Sequence, residues 1–381
     1  MTPHPGIAAL VLGAAAAALF GWWWLRTAEP PVDDEAIRFV AVGFDAVPGW
    51  AEDDHAAALG AYLRSCSKAK DVAAKRVCEA AAALEPATDK DAVRKFFETH
   101  FMPHVVEGAA SKGFVTGYYE PVIDGSLKKN AKFTVPVLAR PDDLVTLKSD
   151  IERARFNEEI TGARRDGEAL VPYHTRGEIV DGVLAGRGLE LLYLEDPVEL
   201  FFLQVQGSGV VKLPDGRQVR LGFAAKNGHP YTSIGKLLVS RGEGKPKDLG
   251  MPGLKAWLRA DETRGKALMN ENKSYVFFRV LDDEEGKDGP VGAQGVALSP
   301  GRSLAVDAAY HALGRPIFVA APDLSDESGK PFRRLMVAQD VGSAIRGPER
   351  GDVFWGTGEA AGAIAGGTRA DARFFVLMPK D

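Results

Sequence analysis

From residue 113 to the C-terminus, glycine, proline and aspartate interrupt the sequence every few residues. The apolar or alternating runs between them are short, which suits strands of about four to eight residues better than long helices. The chain has 42 glycines and 23 prolines among 381 residues, as tight turns between many short strands require. The pattern therefore predicts a mainly β fold, with strands at 37–42, 114–119, 189–193, 201–211, 218–223, 275–280, 316–319, 334–338 and 373–378.

Residues 51–100 have a different composition, rich in alanine, leucine, lysine and glutamate and poor in glycine. This composition predicts two or three helices ahead of the β-rich region. The last of them would begin near residues 88–91 (TDKD), which are typical of a helix N-terminus. Further helices are predicted at 142–157, 233–241 and 253–270.

The two cysteines of the chain, Cys66 and Cys78, lie within this helical region. In one continuous helix they would be about 18 Å apart, beyond the disulfide reach of about 7 Å. Residues 67–71 (SKAKD) predict a turn with Asp71 as the N-cap of the next helix, and such a hairpin would bring the thiols together. Two interpretations stay open: a disulfide formed in an oxidising compartment, or two small buried apolar side chains.

Residues 7–24 form an uninterrupted apolar run that ends in three tryptophans. Its length is near the minimum for a membrane-spanning helix and also fits the apolar core of a signal peptide. The tryptophans are typical of an aromatic belt at a membrane interface, and residues 26–31 (RTAEPP) predict a linker. We therefore predict export, with residues 1–34 as a signal or membrane anchor and linker, and favour the anchor.

Charge and motif spacing exclude several function classes. The formal net charge is −5, so the chain lacks the basic surface typical of nucleic-acid binding. Glycine spacings around 235–236 and 356–358 fit neither a phosphate loop nor a dinucleotide fingerprint. His100 and His104 have the spacing of a zinc helix, but Pro103 lies between them and the required glutamate is missing. We expect no metal, no cofactor and no nucleic-acid partner.

Three aspartates near the C-terminus stand where apolar runs meet glycine-containing loops. Asp307 and Asp340 each end such a run, and Asp352 begins one after a loop that contains Gly-Pro. Catalytic groups are commonly carried where strands lead into loops. An aspartate at such a position can equally cap a turn through a hydrogen bond to the backbone, so both interpretations are retained.

Several blocks of the sequence resemble one protein family. They are residues 113–121 (GFVTGYYEP), 202–209 (FLQVQGSG), 225–231 (AKNGHPY) and the C-terminal segment 337–358. These blocks are similar to the membrane-bound lytic murein transglycosylase A family, and the three aspartates resemble its 3D domain. The lipoprotein cysteine usual in that family is missing, so the resemblance does not imply a lipid anchor here.

The resemblance implies a double-psi β-barrel domain, a second β-barrel domain inserted in it, and a groove between the two. The first would comprise residues 35–121 and 273–381, including the N-terminal helices, and the inserted substrate-binding domain residues 122–272. The protein would work on the periplasmic side of a Gram-negative cell envelope, secreted or anchored by its N-terminal segment. Its implied partners are peptidoglycan glycan strands, the membrane and cell-wall enzyme complexes.

The implied activity is that of a peptidoglycan lytic exotransglycosylase, a lyase that cleaves the β-1,4 bond between N-acetylmuramic acid and N-acetylglucosamine. The C6 hydroxyl of the muramic acid attacks C1 and forms a 1,6-anhydro ring, so one carboxyl can act first as acid and then as base. Its position in the motif assigns this role to Asp352, whose pKa must be raised by burial or by a like charge. Asp340, if ionised, would hold Asp352 protonated, and Asp307 would support the groove.

Other polar residues in the matched blocks are candidates for substrate binding. Gln204, Gln206 and Ser208 alternate along the predicted strand 201–211 and would therefore share a face. The remaining candidates, which would donate or accept hydrogen bonds with sugar or peptide, are Tyr118, Lys226, Asn227 and His229.

Two other functions stay open at this point. A non-catalytic peptidoglycan-binding protein would use the same groove and release no product. An aspartic hydrolase would cleave peptide bonds with Asp340 and Asp352 sharing one proton, and asparagine at either position would then be equally damaging.

Overall fold

The protein is described from a computed structural model that covers residues 37–70, 72–108, 112–154, 156, 160–246, 248–326 and 328–380. The apolar run at 7–24 and the predicted N-cap Asp71 lie outside these residues. The described part of the chain is mostly β, as predicted. None of its helices is both long enough and apolar enough to cross a membrane.

The strands, in chain order, are β1 (Arg38–Ala41), β2 (Phe101–Glu107), β3 (Phe114–Glu120), β4 (Val122–Ser126), β5 (Val135–Leu138), β6 (Val145–Thr146), β7 (Gly162–Asp166), β8 (Ala169–Pro172), β9 (Glu190–Leu194), β10 (Gly209–Lys212), β11 (Gln218–Lys226), β12 (Val276–Val280), β13 (Ser303–Val306), β14 (Pro316–Ser325), β15 (Pro331–Val341), β16 (Arg350–Thr357), β17 (Arg369–Asp371) and β18 (Arg373–Pro379). The helices are α1 (His55–Cys66), α2 (Val72–Ala82), α3 (Lys90–His100), α4 (Asp150–Ala154), α5 (Arg176–Val180), α6 (Pro197–Gln206), α7 (Ile234–Ser240), α8 (Met251–Arg259), α9 (Glu262–Glu271), α10 (Asp283–Gly286) and α11 (Glu359–Gly367).

The main sheet has nine strands in the order β1-β2-β18-β14-β15-β13-β16-β3-β17. Strand β13 pairs parallel with β15 and antiparallel with β16, and β16 pairs parallel with β3. The chain therefore brings residues near 116, 305, 340 and 352 side by side although they are far apart in sequence. This part of the sheet carries the candidate site.

The N-terminal helices cover one face of the main sheet. Leu59 of α1 and Phe97 of α3 are buried together with Phe318 and Leu335 of the sheet. Gln339 on β15 donates a hydrogen bond to the Ala61 carbonyl at 2.8 Å. The register of β15 against β13 shifts at this residue, between Ala338 and Asp340.

A disulfide joins the first two helices. Cys66, the last residue of α1, is bonded to Cys78 in α2, with Cα atoms 5.5 Å apart. The short turn between the helices allows this approach, so the first of the two interpretations of the cysteines is the one found.

A second sheet has six strands in the order β12-β11-β10-β4-β9-β5, and a third has β6-β7-β8. Both sheets contain residues of the predicted inserted domain. Strand β12 pairs with β11 over the register Leu221 with Val280 to Lys226 with Val276. The second sheet therefore extends beyond residue 272, where the sequence placed the boundary.

The predicted strand 201–211 is wrong over most of its length, because residues 201–206 belong to helix α6. Asp196 accepts a hydrogen bond from the Val198 amide and Pro197 takes the first helical position. Gly207 ends the helix in the left-handed region with φ of 83°. The helix is buried on nearly all sides, so its apolar residues show no period of 3.6 and resemble a buried strand.

Two helix predictions also change. The prediction 253–270 covers two helices, α8 and α9, because Asp261 caps the second by accepting from the Arg264 amide at 2.9 Å. Of the prediction 142–157, helix α4 covers only residues 150–154.

Glu120, the last residue of β3, connects the main sheet to the second sheet. Its buried carboxylate accepts a hydrogen bond from the Thr357 hydroxyl at 2.7 Å and lies 3.1 Å from Arg220 Nε. Arg220 on β11 also donates to the Gly286 carbonyl, on the segment that leads the chain back to the main sheet. Burial raises the pKa of Glu120, while the Thr357 hydroxyl and the Arg220 charge oppose that shift in pKa. The Glu120–Arg220 ion pair thus connects the segment where the chain leaves the main sheet with the segment where it returns.

The Glu120–Arg220 pair generates a stability prediction. Arg220→Met leaves a buried carboxylate without its cation, so the free energy of unfolding should fall by about 2–4 kcal/mol. The double variant Arg220→Met with Glu120→Gln should recover part of this loss, because no buried charge then lacks a partner. Urea unfolding measures both, and a double variant no more stable than Arg220→Met alone would contradict the account.

Candidate active site

Four residues form one row across four neighbouring strands of the main sheet. Ala305 on β13 pairs with Asp340 on β15 and with Asp352 on β16, and Asp352 pairs with Thr116 on β3. Residues that pair across strands point to the same face, so both carboxylates lie on one side of the sheet. With strands about 4.8 Å apart, their backbones are separated by roughly 10 Å.

Asp352 is held through one of its two carboxyl oxygens. Oδ1 accepts a hydrogen bond from the Thr116 hydroxyl at 2.6 Å, and that hydroxyl oxygen accepts from Arg350 Nη2 at 2.7 Å. Because Arg350 can only donate, the hydroxyl hydrogen of Thr116 is directed to Asp352. Oδ1 is thus engaged as an acceptor, which leaves Oδ2 as the oxygen that can carry a proton.

The environment favours the protonated form of Asp352. Burial is the largest cause and raises the pKa of this carboxyl to about 6. The Thr116 hydrogen bond and the Arg350 charge lower the pKa, and the Asp340 charge makes the smallest contribution, which raises it. The sequence argument left burial and a like charge open as causes of the raised pKa, and burial is the dominant one.

The carboxylate of Asp340 accepts more hydrogen bonds than that of Asp352. Its Oδ1 accepts from the amides of Ala293 and Val341, each at 2.9 Å, and its Oδ2 accepts from the Tyr118 hydroxyl at 2.9 Å. Burial raises the pKa of Asp340, and these three hydrogen bonds oppose that rise in pKa. The arrangement suits a fixed acceptor that orients the tyrosine.

Tyr118 lies two residues after Thr116 on β3 and therefore on the same face. Its ring packs against Phe354 with centroids 5.3 Å apart, in a small buried cluster with Ala305 and Leu298. Burial and the charges of both aspartates raise its pKa far above the usual range, so the phenol stays neutral and donates.

Asp307 supports a loop and does not join the row. Its carboxylate accepts from the Ala309 amide at 3.1 Å and from the Gly347 amide at 2.9 Å, and Arg346 Nη1 lies 3.7 Å from it. Of the two interpretations of this aspartate, a turn-stabilising role matches these contacts.

Three of the predicted substrate-binding residues are buried and have protein partners. Gln204 accepts from Arg176 and donates to the Val276 carbonyl, and Asn227 donates to two backbone carbonyls at 2.8 Å each. His229 Nε2 lies 2.7 Å from the Tyr173 carbonyl. These contacts make the three side chains part of the framework of the inserted region. Substrate binding by these three residues stays a prediction.

Gln206, Ser208 and Lys226 are more exposed than these three. Gln206 accepts from the Tyr119 amide at 3.0 Å and so joins α6 to β3. Ser208 is half-buried in the turn between α6 and β10, so it shares no strand face with the two glutamines. Lys226 Nζ lies 3.3 Å from the Ser343 hydroxyl, in the loop between β15 and β16.

Sequence reasoning missed Thr116, Arg350 and Ala305. Two of them carried a signal: Thr116 stands two residues before Tyr118 and Arg350 two before Asp352, so each shares a strand face with a residue already selected. The role of Ala305 follows only from strand register, which spacing along the sequence does not reveal.

A cavity of about 1210 Å³ is lined by residues of β3, β4, α6 and the inserted region. Tyr119, Val122, Glu199, Arg259 and Glu359 are among its lining residues, whereas neither Asp340 nor Asp352 reaches it. Tyr119 points away from the row because it alternates with Tyr118 along β3. The chemistry of the two carboxylates is therefore separate from this cavity.

Two known protein-family models match this chain, one over the inserted region and one over the C-terminal strands of the main sheet. A family model of the MltA specific insert domain matches residues 114–279, and one of the 3D domain matches residues 302–378. The chain is 32% identical over 279 residues to the membrane-bound lytic murein transglycosylase A of Escherichia coli (strain K12), which is 71% of this chain and 68% of that protein. The chain belongs to the membrane-bound lytic murein transglycosylase A family.

Solved structures from this family share the fold of the chain. The membrane-bound lytic murein transglycosylase from Agrobacterium tumefaciens has a TM-score of 0.80 at 36% identity, covering 90% of this chain and 97% of that one. MltA from Neisseria gonorrhoeae has a TM-score of 0.75 at 36% identity, covering 90% and 93%. E. coli MltA with bound chitohexaose has a TM-score of 0.67 at 27% identity, covering 90% and 95%.

The raised pKa of Asp352 predicts how the substitution Asp352→Asn changes the stability of the protein at different pH values. An aspartate in an unfolded chain has a pKa of about 3.9, so between that value and the folded pKa of about 6 the folded protein holds a proton that the unfolded chain has lost. Stability then falls as pH rises through this window. Asp352→Asn removes that penalty and should raise the free energy of unfolding by about 1–3 kcal/mol at pH 7.5, and by less at pH 4.

Urea unfolding at the two pH values measures this difference. Asp323→Asn, at an exposed aspartate on β14, is the matched control and should show no such pH-dependent gain. A smaller gain for Asp352→Asn at pH 7.5 than at pH 4 would contradict the assignment of a raised pKa.

Proposed function

We propose that this protein cleaves the β-1,4 bond between N-acetylmuramic acid and N-acetylglucosamine in peptidoglycan without consuming water, with Asp352 as its single acid and base. The observation that carries the proposal is the state of Asp352. Burial raises its pKa to about 6, one oxygen is engaged by Thr116, and the other is left to exchange a proton. Family membership supports the choice of substrate.

The reaction can be balanced with one carboxyl group. Oδ2 of Asp352 gives its proton to the glycosidic oxygen as the bond from C1 to that oxygen breaks. The C6 hydroxyl oxygen of the same muramic acid then bonds to C1, and its proton passes to Asp352. The products are a 1,6-anhydro ring and a free 4-hydroxyl, and the carboxyl is again protonated. Because the nucleophile belongs to the substrate, its effective concentration is high and no second carboxylate needs to activate water.

The neighbours of Asp352 would prepare it for both steps. Thr116 and Arg350 fix the orientation of the carboxyl and limit the rise of its pKa, so that it can release its proton. Asp340 would orient the Tyr118 hydroxyl and disfavour ionisation of Asp352. Asp307 would hold the loop between β15 and β16 in place.

A dyad with one shared proton fits this geometry poorly. The backbones of Asp340 and Asp352 lie two strands apart, and Asp340 accepts its hydrogen bonds from Ala293, Val341 and Tyr118. An aspartic hydrolase needs the two carboxyl groups in contact. The lyase therefore accounts better for the site than the hydrolase does.

The finer architecture and location are part of the same proposal. We infer a double-psi β-barrel in the main sheet, where parallel pairs β13–β15 and β16–β3 occur beside antiparallel ones, with a second barrel inserted between β3 and β13 and a substrate groove between them. Relatives named membrane-bound support a place at the cell envelope. The apolar residues 7–24 would anchor this chain, facing the periplasm.

Asp352→Asn tests the catalytic assignment. The variant should lose nearly all release of 1,6-anhydro muropeptides from purified sacculi, because no other group in the row can protonate the leaving oxygen. Mass spectrometry of the soluble products measures this release. Asp323→Asn on the same sheet should retain activity. Near-normal release by Asp352→Asn would overturn the assignment, and soluble products with hydrolysed ends from the wild type would overturn the reaction.

The pH profile separates the roles of Thr116 and Asp340. Activity needs protonated Asp352, so it should decline as pH rises through the pKa of that carboxyl. Thr116→Val removes a contact that lowers the pKa of Asp352 and should move this decline to higher pH. Asp340→Asn removes a charge that raises the pKa of Asp352. The decline in activity should therefore move to lower pH, by less than about one pH unit. Shifts in the same direction, or no shift in either, would contradict the assignment.

A further inference from the structure

Lys226 of the inserted region contacts the loop that carries Arg346. Lys226 ends β11 in the inserted region, and its Nζ lies 3.3 Å from the hydroxyl of Ser343. Ser343 and Arg346 belong to the loop that runs from β15 to β16, that is, from Asp340 to Asp352. Lys226 therefore contacts, from the inserted region, the loop that carries Arg346 and joins the strands of the two carboxylates.

No carboxylate within the described residues neutralises Lys226. Its polar contact is the Ser343 hydroxyl, and the charge that acts on it is Arg346. Burial and that like charge lower the pKa of Lys226. Arg346 lies 3.7 Å from Asp307, whose oxygens already accept from two backbone amides, and 72% of the arginine side chain is exposed. A half-buried ammonium group beside a second cation is unfavourable unless an anion joins them.

The donors at this place suit a carboxylate. An ammonium group, a guanidinium group and a hydroxyl can together bind both oxygens of one carboxylate with charge-assisted hydrogen bonds. The glycan backbone is neutral, whereas the 3-O-lactyl substituent of muramic acid ends in a carboxylate or carries a peptide with carboxylates of its own. An anion-binding site would thus recognise the substituent and not the sugar rings.

We propose that Lys226, Arg346 and Ser343 form a carboxylate-binding subsite for the lactyl substituent of muramic acid or for the peptide attached to it. The inference rests on the proposed function, since it names the part of the same substrate that lies beside the site. Lys226 also connects the inserted region to the loop between β15 and β16. A bound carboxylate would therefore hold the inserted region and this loop against the substrate.

The test measures binding to full-length protein that carries Asp352→Asn, so that no ligand is cleaved. The three ligands are chitohexaose, which is neutral, amidase-treated glycan strands, which bear free lactyl carboxylates, and peptide-bearing glycan strands. Lys226→Met and Arg346→Met should each weaken binding of at least one carboxylate-bearing ligand on the order of 10-fold. Chitohexaose affinity should change less than about 2-fold, because neutral sugars make no ion pair. Lys129→Met, at an exposed lysine of the inserted region, is the matched control and should bind all three normally.

The ligands distinguish the two sources of the carboxylate. If the two variants bind only the amidase-treated strands more weakly, the site recognises the lactyl group. If they bind only the peptide-bearing strands more weakly, the site recognises the peptide. A loss with both shows that the subsite accepts either. Equal weakening of chitohexaose and the charged strands, or no weakening of any ligand, would overturn the subsite. Failure of the proposed function is seen separately, as absence of anhydro products from the wild-type protein.

Discussion

Ala305 pairs with Asp340 on one neighbouring strand and with Asp352 on the other, and this register fixes the distance between the two carboxylates. The separation is large enough that each carboxyl has its own hydrogen-bond partners and can hold a different protonation state. Asp340 is fixed by three donors, whereas Asp352 has one engaged oxygen and one left over. The difference between two identical side chains therefore comes from their positions in the sheet.

The same sheet connects the site to the rest of the chain. Strand β3 contributes Thr116 and Tyr118 to the row and then ends at Glu120, where the Arg220 ion pair ties the inserted region to the main sheet. Lys226 of the inserted region contacts the loop between β15 and β16. The inserted region is thus linked to the main sheet at two places.

Much of the fold could be predicted from the sequence, because short apolar runs bounded by glycine and proline mark strands such as β14 and β18. Helix α6 could not, because its burial on nearly all sides hides the helical period. The resemblance selected Asp352 and Asp340, but the Thr116–Asp352 hydrogen bond joins residues 236 positions apart and depends on strand pairing. Gln204 and Asn227 were selected as polar residues in matched blocks, although buried polar side chains in such blocks can serve the framework equally well.

Burial raises the pKa of Asp352 well above that of an exposed aspartate, and the proposed acid role depends on this shift. Carboxyl-carbon NMR titration of the wild-type protein, with the Asp352 resonance assigned by its absence in Asp352→Asn, measures this pKa directly. A pKa of about 6 is expected for Asp352. A pKa near about 4, the value of an ordinary exposed aspartate, would contradict it.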